Sequence, residues 1–297
     1  MEKILLVGAA VVDIVAVGAG QIIAGDSNLG SVDLTVGGVA KNIAENLTRL
    51  GMDCTLITFL GTDGFANVIR DHLKGAGIDF TPAMTIPGPS GKYVAIHRND
   101  GILETAVNDF RIMDGLRPED FEPLAPLFAA CDWLILDANL PATVLDRLTD
   151  QYRQKKIVFD GVSRAKAVRI RPYLDRLWLL KVNRGELGAI LGHPADDVIY
   201  AVKDLMAFGV PRIIVTNGAD PITYNIERRI YQSAIFEAGK PVSSSGCGDA
   251  LFAGTIYGLA FGKNMHEAVN YGKKAASLTM EVAAPCHPAL NSAVLEE

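Results

Sequence analysis

The sequence predicts an α/β fold: a mostly parallel sheet with helices on both faces and a small β lid. Three observations predict it. Short apolar runs alternate with helical patterns along the chain. The runs, at 4–7, 55–59, 133–136, 157–159, 177–182 and 213–215, are too short for helices and lack apolar–polar alternation, so each reads as a buried strand. Each also ends in Gly, Asp, Asn or Thr. Gly8, Asp137, Asn139, Asp160, Asn183 and Thr216 all fall just beyond a strand. Ligands of open α/β sheets lie outside the carboxyl ends of the strands, which makes these residues candidates for one shared site. Their commoner use is in turns and helix caps.

The elements between the strands follow from spacing. Ala40, Ile43, Leu47 and Leu50 recur at helical intervals, and Gly51 ends the pattern. Val68, Ile69 and Leu73 form a second such face before Gly75-Ala76-Gly77. Segments 12–36 and 92–112 break the alternation, being richer in β-branched residues and glycine. They read as strands outside the main sheet, a lid folded over its carboxyl ends. With no repeat or low-complexity linker, 1–297 reads as one domain and the lid as an insertion. The tail after Pro285 reads as a short helix or coil.

Composition sets limits. With 297 residues, 49% hydrophobic, the chain can bury a large core. The net charge of −6, without a basic run, argues against nucleic acid as a partner. No apolar stretch reaches membrane-spanning length, and Met1-Glu2-Lys3 leads straight into a strand without a signal-peptide pattern. Cys54, Cys131, Cys247 and Cys286 are scattered and match no metal or disulfide framework, which suits a cytoplasmic location.

The strongest chemical signal is Ser243-Ser244-Ser245-Gly246-Cys247-Gly248-Asp249, followed by a small-residue helical pattern. A Gly-x-Gly turn at a helix start gathers unpaired backbone N–H groups, a ready site for an anion. Asp249 beside it is placed to take a proton, and the pair points to phosphoryl transfer. Cys247 as a nucleophile is a minor alternative, since no His lies near it in sequence. In Gly37-Gly38-Val39-Ala40-Lys41-Asn42, paired glycines allow close backbone approach, and Asn42 offers donor and acceptor to a diol. Asn183 and Glu186 sit three apart at a strand end, on one face of a helix starting there. Glu186 there either compensates the helix dipole or orders the waters of Mg²⁺. Gly18-Ala19-Gly20 imitates a dinucleotide fingerprint, but no helix follows, which argues against a nicotinamide site.

Taken in order, these motifs resemble the PfkB (ribokinase-like) family of carbohydrate and nucleoside kinases, over nearly the whole chain. The resemblance implies a three-layer α/β/α sandwich with a β lid, and ATP and Mg²⁺ as cofactors. It makes Asp249 the base for a sugar 5′-hydroxyl and the N–H groups of Gly246, Cys247 and Gly248 the anion hole. It assigns Asp13, Gly38 and Asn42 to the ribose hydroxyls, and Asn183 and Glu186 to Mg²⁺, held through water, and the phosphates. Thr216, Asn217 and Gly218 border ATP, while Lys92, Tyr93, Asn108 and Asp109 are lid or base contacts. Lys166 is a further substrate contact near the phosphates. Many members dimerise through the lid, whose open strand edges favour a homodimer.

Within the family, Gly38-Val39-Ala40-Lys41-Asn42-Ile43-Ala44-Glu45-Asn46-Leu47, Asp160-Gly161-Val162-Ser163-Arg164-Ala165-Lys166 and Val107-Asn108-Asp109 are similar to the pseudouridine kinases. A ribokinase or another nucleoside kinase is the alternative, and a non-catalytic sugar- or nucleoside-binding regulator the reading from a different class. The chain departs from the family pattern at Val11, where Asn is usual, and at Cys247, where Ala is common. Ser243 stands where many members have an Asp that helps bind a monovalent cation, which leaves potassium dependence open. Pro221 is unusual in the nucleotide region.

Overall fold

The computed structural model describes residues 2–296. Its centre is a sheet of eight strands. Six run parallel: β1 (Lys3–Val7), β4 (Asp53–Ile57), β9 (Trp133–Asp137), β10 (Lys156–Asp160), β11 (Leu179–Asn183) and β12 (Ile213–Asn217). β13 (Asp220–Ile226) and β14 (Arg229–Ser233) add an antiparallel edge that the sequence did not announce. The spatial order is β14-β13-β12-β11-β10-β9-β1-β4.

Strand alternation explains the three layers. Ile4 and Leu6 of β1 point into one core, with Ile43, Leu47, Phe252 and Ile256 from the covering helices. Leu5 and Val7 point into the other, with Leu145, Leu148, Leu187 and Ile190. Strands buried on both faces must be apolar at every position, which is why these runs lack alternation.

Two boundaries differ from the sequence reading. The 55–59 run divides at Thr58, whose hydroxyl accepts from the Ala10 N–H at 2.9 Å. Beyond it, β5 (Phe59–Leu60) pairs with β6 (Met84–Thr85) outside the main sheet. The 177–182 run enters the sheet only at Leu179, because Leu177 closes a turn on the Leu174 carbonyl at 3.2 Å.

The lid is a separate four-stranded sheet of β2 (Val11–Gly18), β3 (Gly30–Gly37), β7 (Lys92–His97) and β8 (Leu103–Asp109), in the order β3-β2-β7-β8. Residues 111 and 112 belong instead to the short helix Arg111–Asp114. After Ser292 the tail forms the helix Ser292–Glu296. Among the described residues, no helix is long and apolar enough to cross a membrane.

The helix Val39–Arg49 joins the lid to the core. It starts at Gly38, whose φ of 104° favours glycine and whose added Cβ would collide with the Ala9 carbonyl. Lys41 on this helix is fully buried. Glu45 accepts from Lys41 at 3.0 Å, Arg49 at 2.6 Å and His72 at 3.0 Å. Burial alone would raise the Glu45 carboxyl, but hydrogen bonds from His72 and Lys41 and the Arg49 charge hold it down at about 2.

Replacing one partner of a buried ion pair leaves the other charge uncompensated. Glu45→Gln is therefore expected to lower unfolding free energy by about 3–5 kcal/mol, measured by denaturant titration. Because the folded value lies below the ordinary 4.5, the wild-type contribution is present above that pH and fades as pH falls towards about 2. The variant should lack this acid sensitivity.

Candidate active site

The Ser243–Gly246 approach ends in a helix start at the carboxyl edge of the sheet. Gly246 caps the helix Cys247–Ala260 with φ 75°, and an added Cβ would collide with the Pro285 carbonyl. Among the described residues, the N–H groups of Gly246, Gly248 and Asp249 have no hydrogen-bond acceptor. That of Cys247 reaches only the Ser244 carbonyl, at 3.4 Å. The turn thus presents donors with an unmet need for an anion. The Cys247 thiol is pushed up to about 11 by burial and by Asp249, so it stays protonated and is no nucleophile.

Asp249, on the first turn of that helix, is 8% exposed. Its Oδ2 accepts from Asn42 Nδ2 at 2.7 Å. This contact brings together two motifs far apart in the chain. It also engages an Asn42 donor that the sequence reading offered to a diol. Burial pushes the Asp249 carboxyl up to about 7, against the pull of Lys181. The Lys181 ammonium lies under the turn, 3.0 Å from where a Cβ on Gly248 would sit. It donates to Asp160 Oδ2 at 2.8 Å and stays charged because Asp160, Asp249 and Glu186 outweigh its own burial.

Asn183 and Glu186 form a reciprocal cap on the helix Arg184–Leu191. Asn183 N and Nδ2 donate to the Glu186 carboxylate at 2.9 and 2.6 Å, and Glu186 N donates back at 2.9 Å. The capping use of Glu186 is therefore present in the structure, and it leaves further lone pairs for water. Burial and the nearby Asp160 raise the Glu186 carboxyl. Three carboxylates around one ammonium leave a surplus of negative charge, and hard oxygen donors suit a hydrated Mg²⁺. Among the described residues, no group of three or more His, Cys, Asp or Glu could hold a metal by itself.

The lid contributes one row of side chains. Asp13 on β2 is in register with Tyr93 on β7, and Tyr93 with Asn108 on β8, so the three share one face. Gly37 leaves the space that Asp13 fills, since its added Cβ would collide with the Asp13 carboxylate. Burial raises the Asp13 carboxyl to about 6, with Lys41 opposing. Burial and Asp13 also raise the Tyr93 phenol.

Three expected contacts lie elsewhere. Lys92 points to the opposite face, 3.8 Å from Asp63 and over the Phe65 ring, because neighbours on a strand face opposite ways. Asp109 follows Lys92 in register, and Arg111 engages its carboxylate at 2.8 and 2.9 Å and holds it down at about 2. Lys166 sits apart from Asn183 and Thr216. It donates to Asn139 Oδ1 at 2.6 Å, lies 3.6 Å from the Phe110 ring centre and lines a cavity of about 480 Å³ with Asn108.

Thr216 and Gly218 line two adjoining cavities. One, of about 420 Å³, has apolar walls of Ile222, Ile235, Phe236, Leu251, Ala276 and Met280, with the Gly248 turn at its end. Apolar walls of this kind suit the flat base of a nucleotide. Sequence reasoning missed these walls, because they come from a strand, a loop and two helices with no shared motif. Asn217 lines only the other cavity and donates to Asp220 at 2.6 Å.

Comparison with known proteins gives the family and the fold. Residues 1–291 match the family described as pfkB family carbohydrate kinase. The chain is 24% identical to a pseudouridine kinase of Escherichia coli over 297 residues, covering 98% of this chain and 95% of that one. It is 27% identical to a guanosine-inosine kinase of Exiguobacterium acetylicum, covering 93% and 94%. Among solved structures, an Arabidopsis thaliana ribokinase complexed with ribose and ATP superposes with a TM-score of 0.88 at 19% identity, covering 100% of this chain and 98% of that one. That likeness shows the ribokinase-like fold. With an Asp beside an anion turn and a family match spanning nearly all its length, the chain belongs to the pfkB family of carbohydrate kinases, phosphotransferases with a hydroxyl acceptor.

Proposed function

We propose that this kinase transfers the γ-phosphoryl group of ATP to the 5′-hydroxyl of pseudouridine. The observation that carries the kinase reading is the Asp249 carboxylate, held by Asn42 at 2.7 Å beside the unpaired N–H groups of the turn. Asp249 takes the hydroxyl proton as the oxygen attacks the γ-phosphorus, the bond from that phosphorus to the β–γ bridging oxygen breaks, and ADP leaves. The N–H groups of Gly246, Cys247 and Gly248 receive the charge growing on the phosphoryl oxygens. Bound Mg²⁺ supplies neutralisation of phosphate charge, and Glu186 and Asn183 are the residues that would hold its waters. A carboxyl near 7 suits this work, because about half of it is ionised at neutral pH and it is basic enough to accept the proton.

Asp13, Gly38 and the remaining acceptor of Asn42 hold the ribose. The row from Asp13 through Tyr93 to Asn108 leads from the sugar to the Lys166–Asn139 pair, where a base with carbonyl and N–H groups finds both a donor and an acceptor. Support for pseudouridine comes from the quoted motifs and from relatives named pseudouridine kinase in Escherichia coli and Arabidopsis thaliana. The likeness to a guanosine-inosine kinase favours a purine nucleoside as the second reading.

The lid also supports a homodimer. Leu34, Ile14, Val94 and Val107 lie in register across its four strands, on the face opposite Asp13. Val107 is 67% exposed and Leu34 47%. An apolar face of this kind is a natural partner for its own copy.

Four outcomes are expected. Asp249→Asn should lower kcat by at least about 100-fold while leaving nucleoside binding nearly unchanged, measured by steady-state assay and calorimetry. In the wild type, kcat/KM should fall as pH drops below about 7, since the base must be ionised, and the variant's residual rate should lack this limb. Across pseudouridine, uridine, cytidine, inosine, guanosine and ribose, pseudouridine should have the highest kcat/KM, and preference for ribose would sink the substrate assignment. Leu34→Lys with Val107→Lys should convert a dimer to a monomer in analytical ultracentrifugation.

A further inference from the structure

We infer that Arg164 is a phosphate-binding residue of the nucleotide site, its guanidinium pairing with the phosphate chain of ATP beside Asn183 and Thr216. The inference rests on the proposed use of the neighbouring apolar cavity for the nucleoside half of ATP. That cavity continues, past Thr216 and Gly218, into a larger one of about 740 Å³. Arg164 lines the larger cavity together with Asn183, Thr216 and Asn217.

The chain is built to place this side chain. β10 ends at Asp160, whose Oδ1 accepts from Val162 N at 2.9 Å, and Ser163 N bonds the Gly161 carbonyl at 2.6 Å. The tight turn holds Val162 at φ 59°, a left-handed conformation that costs a β-branched residue about 1–3 kcal/mol. Its result is to throw Arg164 across the start of the next helix. There the guanidinium group lies against the bare Cα of Gly185. An added Cβ at Gly185 would collide with Arg164 Nε and lie 2.8 Å from its Nη2.

Charge singles out Arg164 from its neighbours. Arg184 in the same wall is engaged by the Ala195 carbonyl at 2.9 Å and Asp196 at 3.1 Å. His193 is turned to the Pro194 carbonyl at 3.1 Å, and Lys181 is held by Asp160. Among the described residues, Arg164 alone of these cations has no hydrogen-bond or ion-pair partner. Asp160, Glu186 and Asp249 gather around Lys181 behind the turn, and their charge repels a polyphosphate. A forked cation at the entrance offsets that repulsion and matches phosphate oxygens in pairs.

The test is calorimetric titration of the full chain with adenosine, ADP, ATP and the nucleoside 5′-phosphate product. Arg164→Ala should weaken ATP and ADP by about 10- to 100-fold and leave adenosine unchanged, with Arg164→Lys recovering part of the loss. In assays, KM for ATP should rise while KM for the acceptor holds. Gly185→Ala, which displaces the guanidinium, should shift ATP affinity in the same direction. Equal losses for adenosine and ATP, no loss, or a loss confined to the nucleoside 5′-phosphate would each overturn the inference while leaving the kinase reading intact. A wild type that binds no ATP would instead overturn both.

Discussion

One buried ammonium organises the chemistry of this protein. Lys181 stands in the middle of β11, hydrogen-bonded to Asp160 and electrostatically tied to Asp249 and Glu186. An unpaired carboxylate at such depth would surrender its charge, because desolvation disfavours the ionised form. Burial and the Asp160 charge outweigh the pull of this one cation at Asp249 and Glu186, and both carboxyls are raised. The deficit is useful. It leaves a base of moderate strength at the turn and a pocket of negative charge that welcomes a cation. Replacing the ammonium by an apolar chain would neutralise the acids and remove the base, even though Lys181 need touch no substrate.

The same ammonium links backbone to charge. Lying under Gly248, it occupies the place a side chain there would need. Glycine in this turn therefore serves two purposes: it lets an anion approach from one side and a cation from the other. On the opposite flank, Asn42 ties Asp249 to the helix Val39–Arg49, whose buried Lys41 and Glu45 resist movement. Asp249 is thus braced from the sheet and from the helix Val39–Arg49. A proton acceptor held this way requires little reorganisation when the reacting groups arrive.

Much of this was legible in residue spacing. Unalternating runs revealed the parallel strands, because burial on both faces imposes one pattern regardless of neighbours. The Gly246–Asp249 turn was legible for the same reason: its geometry is local, and φ 75° at Gly246 advertises itself as glycine. What spacing hid was everything settled by distant contacts. Asp109 and Asn108 are adjacent in sequence, yet only Asn108 shares a face with Asp13, and strand register decides that. Lys166 was expected as a substrate contact near the phosphates, and the fold sets it against Phe110 and Asn139. The apolar walls at Ile235, Phe236 and Met280 carried no motif, since a flat ring needs only shape. Arg164 was equally silent, its meaning depending on a glycine 21 positions away that only folding brings beneath it.

The lid shows how a two-residue period can serve two surfaces at once. Along β2, Asp13 faces the row that includes Tyr93 and Asn108, while Ile14 faces the row of Leu34, Val94 and Val107. A slip of one residue in pairing would exchange the two, turning carboxylate outward and apolar groups towards the substrate. Register here is therefore tied to function as well as stability. The Gly37–Asp13 fit constrains it, because only glycine at that position admits the carboxylate. If a second copy covers the apolar face, lid position and subunit packing become one variable. Such coupling calls for no separate device, because alternation along a strand already binds the two faces together.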